Sequence, residues 1–231
     1  MYKRGILFVI LALVMSATAL AEDRDTEMDH VIVTLTDGST VEGYITTYWS
    51  ETGIFKGYNQ SFKMATTPDG TGERRYTADE VQSVRFVKQT GDDSDDGVMS
   101  ADVANPTTFQ PKKVVRQFVH KEDSTSVGEI FWWNGIDRQQ MQLGSMQIST
   151  IYGVRLRGDD VIIPFMTGNI VSLNAMRIVY KKKDKKLVDY VDRRILKGGN
   201  KLWALMAKYP SMILDIVADY YGSGNGYENN Q

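Results

Sequence analysis

Apolar and polar residues alternate in short runs along most of the chain, and the period lengthens only near the end. Val31, Val33 and Leu35 share one face of a strand, with Ile32, Thr34 and Thr36 on the other. Asp37-Gly38 predicts a turn, because glycine enters positive φ without a Cβ clash. Val41, Gly43 and Ile45 continue as a second strand, and Gly43 within it predicts a sharp bend or bulge. A third strand region is expected across Ile54 to Thr66, ended by the breakers Thr67-Pro68-Asp69-Gly70. Tyr76 starts another strand, Thr77-Ala78-Asp79-Glu80 makes a tight bend, and Val81, Val84 and Phe86 return apolar groups inward.

Alternation resumes at Val114, with Val115, Gln117 and Val119 opposite Val114, Arg116 and Phe118. Ser124-Thr125-Ser126 turns the chain into Val127 to Trp133. Asn134-Gly135 is a two-residue hairpin signal that predicts a return strand from Ile136 to Leu143. Gln147 to Leu156, Val161 to Met166 and Ile170 to Tyr180 read as further strands, which predicts a sandwich or a second barrel. At Lys181 the period changes to about 3.6. Leu187, Val188, Val191 and Ile195 fall on one helical face, with Asp184 as N-cap and Gly198-Gly199 as the stop. A second helix is expected from Lys201 to Lys208, broken by Pro210. A third runs from Ser211 with Ile213, Ile216, Val217 and Tyr220 on one stripe.

The expected fold class is therefore mainly β, α+β overall: a small barrel over 30–88, a second β-rich module over 112–183, and C-terminal helices over 184–221. Residues 222–231 read as a disordered tail. Residues 89–111 read as an acidic linker, with Asp92, Asp93, Asp95 and Asp96 close together before Asn105-Pro106 and Pro111. Asp92, Ser94, Asp96 and Gly97 fall at the first, third, fifth and sixth places of a calcium loop. The twelfth place, which needs a bidentate carboxylate, is Val103, so a solvated linker is the expectation.

The first module has a counterpart among known families. Leu35, Gly38, Val41, Gly43 and Ile45 match the first Sm motif, and the segment 31–87 resembles an Sm-like or SH3-like small β-barrel. The nucleotide-reading Asp and Asn of that family would fall near Trp49 and Gly53, and its Arg-Gly pair has no counterpart around Val84 to Phe86. The resemblance thus implies a fold and argues against RNA binding. As a whole the chain is similar to uncharacterised exported β-rich proteins of bacterial envelopes.

Met1 to Ala21 has the parts of a secretory signal peptide: Lys3 and Arg4, an apolar run of 11 residues from Gly5 to Met15, and Ala19-Leu20-Ala21. That run is shorter than the ~20 residues a membrane span needs, so cleavage after Ala21 is expected, followed by a flexible leader over 22–29. The chain has no cysteine, which excludes disulfides, thiolate metal sites and a lipid-modified cysteine, and suits a bacterial periplasm or cell surface. Loss of Lys3 and Arg4 would move the formal charge from −2 to −4, an ordinary balance with no demand for nucleic acid.

Most catalytic settings are missing. His30 and His120 have no helical partner or zinc-like spacing, and no G-x-S-x-G or S-x-x-K occurs. Gly38 to Gly43 is followed by Tyr44 where a phosphate loop needs lysine. No catalytic residue, metal or cofactor is expected. The neighbours Asp79-Glu80 and Asp159-Asp160 are the carboxylate pairs to which acid–base work of a glycan-cleaving kind could fall. Phe131-Trp132-Trp133 puts aromatics on both faces of one strand, and Tyr48-Trp49 ends another, so Tyr48, Trp49, Trp132 and Trp133 are the candidate binding residues. Lys181, Lys182, Lys183, Lys185 and Lys186 form a basic cluster that could meet anionic lipid headgroups or an acidic partner, diluted by Asp184, Asp189 and Asp192. The expectation is an exported, non-catalytic binding or assembly module whose partner is an envelope protein or glycan, with a carbohydrate- or peptidoglycan-active hydrolase as the alternative.

Overall fold

Residues 28–49, 59–87, 97–104, 114–136, 148–181 and 183–223 are described by the computed structural model. Strands β1 (His30–Leu35), β2 (Thr40–Thr47), β3 (Ser61–Ala65), β4 (Arg74–Thr77) and β5 (Val81–Phe86) come first. Then follow β6 (Gly97–Ala104), β7 (Val114–Ser124), β8 (Gly128–Ile136), β9 (Ile148–Leu156), β10 (Val161–Thr167) and the short β11 (Ile170–Val171). Helices α1 (Asn174–Tyr180), α2 (Lys185–Lys208) and α3 (Met212–Gly222) close the described part. The protein is mainly β, built on one large and almost wholly antiparallel sheet.

The strand order is β11-β10-β9-β8-β7-β6-β5-β1-β2-β3-β4. One strand, β6, holds its two halves together. Gly97 to Met99 pair with β5, Met99 to Ala104 pair with β7, and Asp102 and Val103 pair in parallel with Val161 and Ile162 of β10. That last pairing closes β6 to β10 into a ring. Residues 97–104 lie inside the stretch whose composition reads as a linker, so the linker is corrected there. Val98, Ala101, Val103 and Ala104 are buried, and a strand buried on both faces lacks the clean alternation that reveals strands in sequence. Residues 88–96, with the acidic run, lie outside the described residues.

Three apolar clusters follow from the faces of these strands. Val31, Val33, Phe62, Met64, Val81 and Val84 of the first half pack with Trp49, and Val98 of β6 and Phe118 of β7 complete that cluster. The opposite faces of β6 and β7 supply Ala101, Val103 and Val119 to the ring interior, beside Phe131, Trp133, Ile151 and Ile162. The outer face of β8 to β10 offers Ile130, Val154 and Phe165 to Met176, Leu187, Val191, Ile213 and Val217 of the helices.

Two glycines are there for close approach. A Cβ on Gly43 would lie 2.3 Å from the Ala65 carbonyl oxygen, so β2 and β3 could not draw together with any larger residue. The irregular register of this strand falls just beyond, between Ile45 and Thr47. On Gly153 a Cβ would lie 2.5 Å from Ile162 Cγ2 and 2.9 Å from Trp133 Cη2, so its absence makes room for the indole.

Two sequence expectations are corrected. Asn134 and Gly135 are not a turn: they pair with Thr150 and Ser149, and β8 runs on to Ile136. Gly135 is instead a small residue against Ile151, whose Cδ1 a Cβ would meet at 2.5 Å. The expected return strand beyond Ile136 lies outside the described residues. The expected strand Ile170 to Tyr180 ends at Val171, and α1 takes over. Leu173, Met176 and Tyr180, three and four residues apart, face the core together as only a helix allows.

The later helices match their pattern. The Asp184 side chain accepts from the Leu187 N–H at 2.9 Å as the N-cap of α2, and Leu187, Val188, Val191 and Ile195 are buried. Gly199, at φ +53°, kinks α2 at the predicted stop. Ile213, Ile216, Val217 and Tyr220 are the buried face of α3, which continues to Gly222, the first residue of the expected tail. Residues 224–231, the expected signal peptide and the expected leader as far as residue 27 lie outside the described residues.

Candidate functional site

Antiparallel register places three rings in a row on the outer face of the second half. His120 of β7 is opposite Trp132 of β8, and Trp132 is opposite Tyr152 of β9. Directly opposed residues project on the same face, and all three are half-buried. The His120 and Trp132 rings stack with centroids 3.9 Å apart and planes 5° from parallel. Asn134 and Thr150 form the next pair along the same face, putting an amide and a hydroxyl beside the rings. Burial, with Glu122 adding to it, pushes the Tyr152 hydroxyl above the usual phenol range, so it stays a neutral donor.

The row is backed by the first half. Trp49, 7% exposed, lies behind His120 with ring centroids 6.0 Å apart, and packs on Phe62, Phe86 and Phe118. Tyr48 meets it edge-on at 5.6 Å and is half-buried. Asn59 joins these parts. Its N–H donates to the Trp49 carbonyl, its own carbonyl accepts from the Phe118 N–H, and its side-chain Nδ2 donates to the Asn134 carbonyl. It sits at φ +59°, a left-handed conformation that asparagine tolerates better than most residues. Being 1% exposed, this asparagine is a core residue.

Of the four aromatic candidates, Trp132 and Tyr48 are half-buried, and Trp49 is corrected to a residue of the first core cluster. Trp133 is corrected to a core residue: at 1% exposed it fills the ring interior, because consecutive strand residues face opposite ways. His120 and Tyr152 are the members that sequence reasoning missed. Their signal was the register of β7, β8 and β9, which a turn at Asn134-Gly135 would have set differently.

The basic candidates are spread between two helices. Lys181 follows α1, Lys185 and Lys186 open α2, and all three are exposed; Lys182 lies outside the described residues. Lys183 Nζ donates to Asp159 at 2.6 Å.

The carboxylate pairs serve the turns they stand in. Glu80 accepts from the N–H and hydroxyl of Thr77, both at 3.0 Å, and pairs with Arg74; the Thr77 bonds, ahead of Arg74, hold its carboxyl below the usual range. Asp159 accepts from the Tyr180 hydroxyl and from Lys183. Glu129 lies between Lys121 at 2.8 Å and Arg155 at 2.6 Å. Burial works against its charge, but these two cations outweigh it and keep its carboxyl low. Among the described residues no three acidic or histidine side chains converge as metal ligands. Comparison of the chain with family models, with curated proteins and with solved structures finds no match in any of the three.

Proposed function

We propose that this protein is an exported, non-catalytic binding module of the bacterial envelope, and that a glycan stacks on the row His120, Trp132 and Tyr152. The observation that carries the reading is the cross-strand row itself, half-buried, with the His120 and Trp132 rings stacked and Asn134 and Thr150 as the next pair. Sugar rings offer apolar C–H faces to an aromatic plane and hydroxyls to neighbouring amides, which is the composition of this surface. The backing of Trp49 and Asn59 holds the rings in place before any ligand arrives, which lowers the entropy lost on binding.

In this reading the first five strands are an Sm-like or SH3-like barrel serving as a buttress. Its support is the order β5-β1-β2-β3-β4 and the single turn at residues 78–80 between β4 and β5.

The test is co-sedimentation with insoluble peptidoglycan. Wild type is retained, Trp132→Ala weakens retention about tenfold, equivalent to about 1.4 kcal/mol, and Trp132→Phe keeps most of it. Equal retention of wild type and a folded Trp132→Ala variant would remove the row from the site. Failure of wild type to bind peptidoglycan, with cross-linking in the cell to an envelope protein, would replace the glycan by that partner.

A further inference from the structure

The helical end of the chain has a different surface chemistry from the sheet. Residues 174–223 carry 11 basic and 5 acidic side chains, in a chain whose formal charge is −2. Within that segment, 196–209 has Lys197, Lys201 and Lys208 and no acid at all. The same fourteen residues hold Leu196, Trp203, Leu205 and Tyr209, which are 39% to 71% exposed. Half of the exposed large apolar residues of the described structure are thus gathered in one kinked helix and its cap.

Their arrangement follows from the kink. Gly199 at φ +53° ends the first helical run, so the second run from Lys201 starts in a new direction. Met206 is its buried anchor and Leu202 is partly buried against the same core. The solvent side of this run carries Lys201, Trp203, Ala204, Leu205 and Lys208, all exposed. Leu196 and Trp203 line a cavity of about 210 Å³ together with the Arg177–Asp192 pair, whose Nε to Oδ2 distance is 2.8 Å. Tyr209 stands beneath the Lys208 ammonium, 5.2 Å from the ring centroid.

We propose that residues 196–209 are a docking surface for an anionic lipid bilayer. Charge complementarity selects this occupant, since three lysines without an acid match phosphate headgroups. Tryptophan and tyrosine suit the headgroup boundary, where one end of the side chain is apolar and the other wet. Lysine stems lie along apolar surface while their ammonium groups reach the phosphates. The contact is peripheral: no helix among the described residues is long and apolar enough to cross a membrane. It shares no residue with the aromatic row.

The experiment is co-sedimentation of the protein, as isolated from cells, with vesicles of phosphatidylglycerol and phosphatidylcholine, against vesicles of phosphatidylcholine alone. The protein pellets with the anionic vesicles at low salt, less as salt rises, and little with the neutral ones. Replacing Lys197, Lys201 and Lys208 together by Gln raises the lipid needed for half-binding at least about tenfold. Trp203→Ser weakens binding with the lysines intact, and Leu205→Ser is the second apolar probe should Trp203→Ser fail to fold. Absence of pelleting by wild type, or unchanged pelleting of the lysine variant, overturns the proposal. If heparin retains wild type and Trp203→Ser alike while vesicles retain neither, the surface serves a soluble polyanion and the lipid assignment falls.

Discussion

Two tyrosines fasten the helices through carboxylates, one to the sheet and one to a neighbouring helix. The Tyr180 hydroxyl at the end of α1 donates to Asp159 in the β9–β10 turn, which also receives Lys183. The Tyr220 hydroxyl of α3 donates to Asp184, the N-cap of α2, at 3.2 and 3.3 Å. Burial first, and then the neighbouring aspartate, pushes both phenols up, Tyr220 to about 12. A phenol that holds its proton more tightly in the fold contributes stability that is complete below its unfolded value, near 10. The contribution is lost as pH rises through the folded value. Stability should therefore decline as pH rises from 10 towards about 12, in part through Tyr220. Tyr220→Phe should lose about 1 kcal/mol at pH 8, where Asp184 forfeits a donor, and show a flatter alkaline decline. Urea unfolding at pH 8, 10 and 11 reads both effects, and the same alkaline slope in the variant would clear Tyr220.

At the scale of elements, what the sequence made legible depended on whether one face met water. Strand β1 was plain from Val31 and Val33 against Ile32 and Thr34, and α3 from Ile213, Ile216, Val217 and Tyr220, because each has one buried side. β6 was hidden because Val98 fills the first core while Ala101 and Val103 fill the ring. α1 has a strand-like sequence because Ile170, Val171, Ile178 and Val179 favour strands locally, and tertiary packing of Met176 and Tyr180 overrides that preference. Asn134-Gly135 misled for another reason: glycine is wanted there for its missing side chain, not its φ. The site was legible in part, since Trp132 could be named from its strand, while its neighbours His120 and Tyr152 come from elements distant in sequence. Gly153 tests the packing account directly. Gly153→Ala should destabilise the fold by about 1–3 kcal/mol, because the added methyl has only Ile162 and the rigid Trp133 ring to push against. A change in the urea midpoint near zero would show that the ring interior has slack there.

At the scale of the whole molecule, the two halves of the sheet share strands and cores. β6 and β7 each present one face to the ring and the other to the first cluster, so neither half is complete alone. Phe118 shows the dependence most clearly. It is fully buried, its ring lies 5.4 Å from Phe62 and 5.8 Å from Trp49, and its N–H donates to the Asn59 carbonyl at 2.8 Å. Nearby, Arg116 Nε donates to the Ala78 carbonyl at 3.1 Å, a second tie from β7 to the first half. Two independent domains would unfold at separate midpoints, whereas halves sharing two strands should unfold together. Phe118→Ala should cost about 3–5 kcal/mol, and although the cavity opens in the first cluster, it should lower the midpoint of the entire protein. Tryptophan fluorescence reports Trp49 in the first half, Trp132 and Trp133 in the second and Trp203 in α2, while far-ultraviolet circular dichroism follows the sheet and helices. The two curves should superimpose in wild type and in the variant. A variant in which part of the signal melts early while the rest keeps the wild-type midpoint would mean that β6 and β7 join the halves without coupling them.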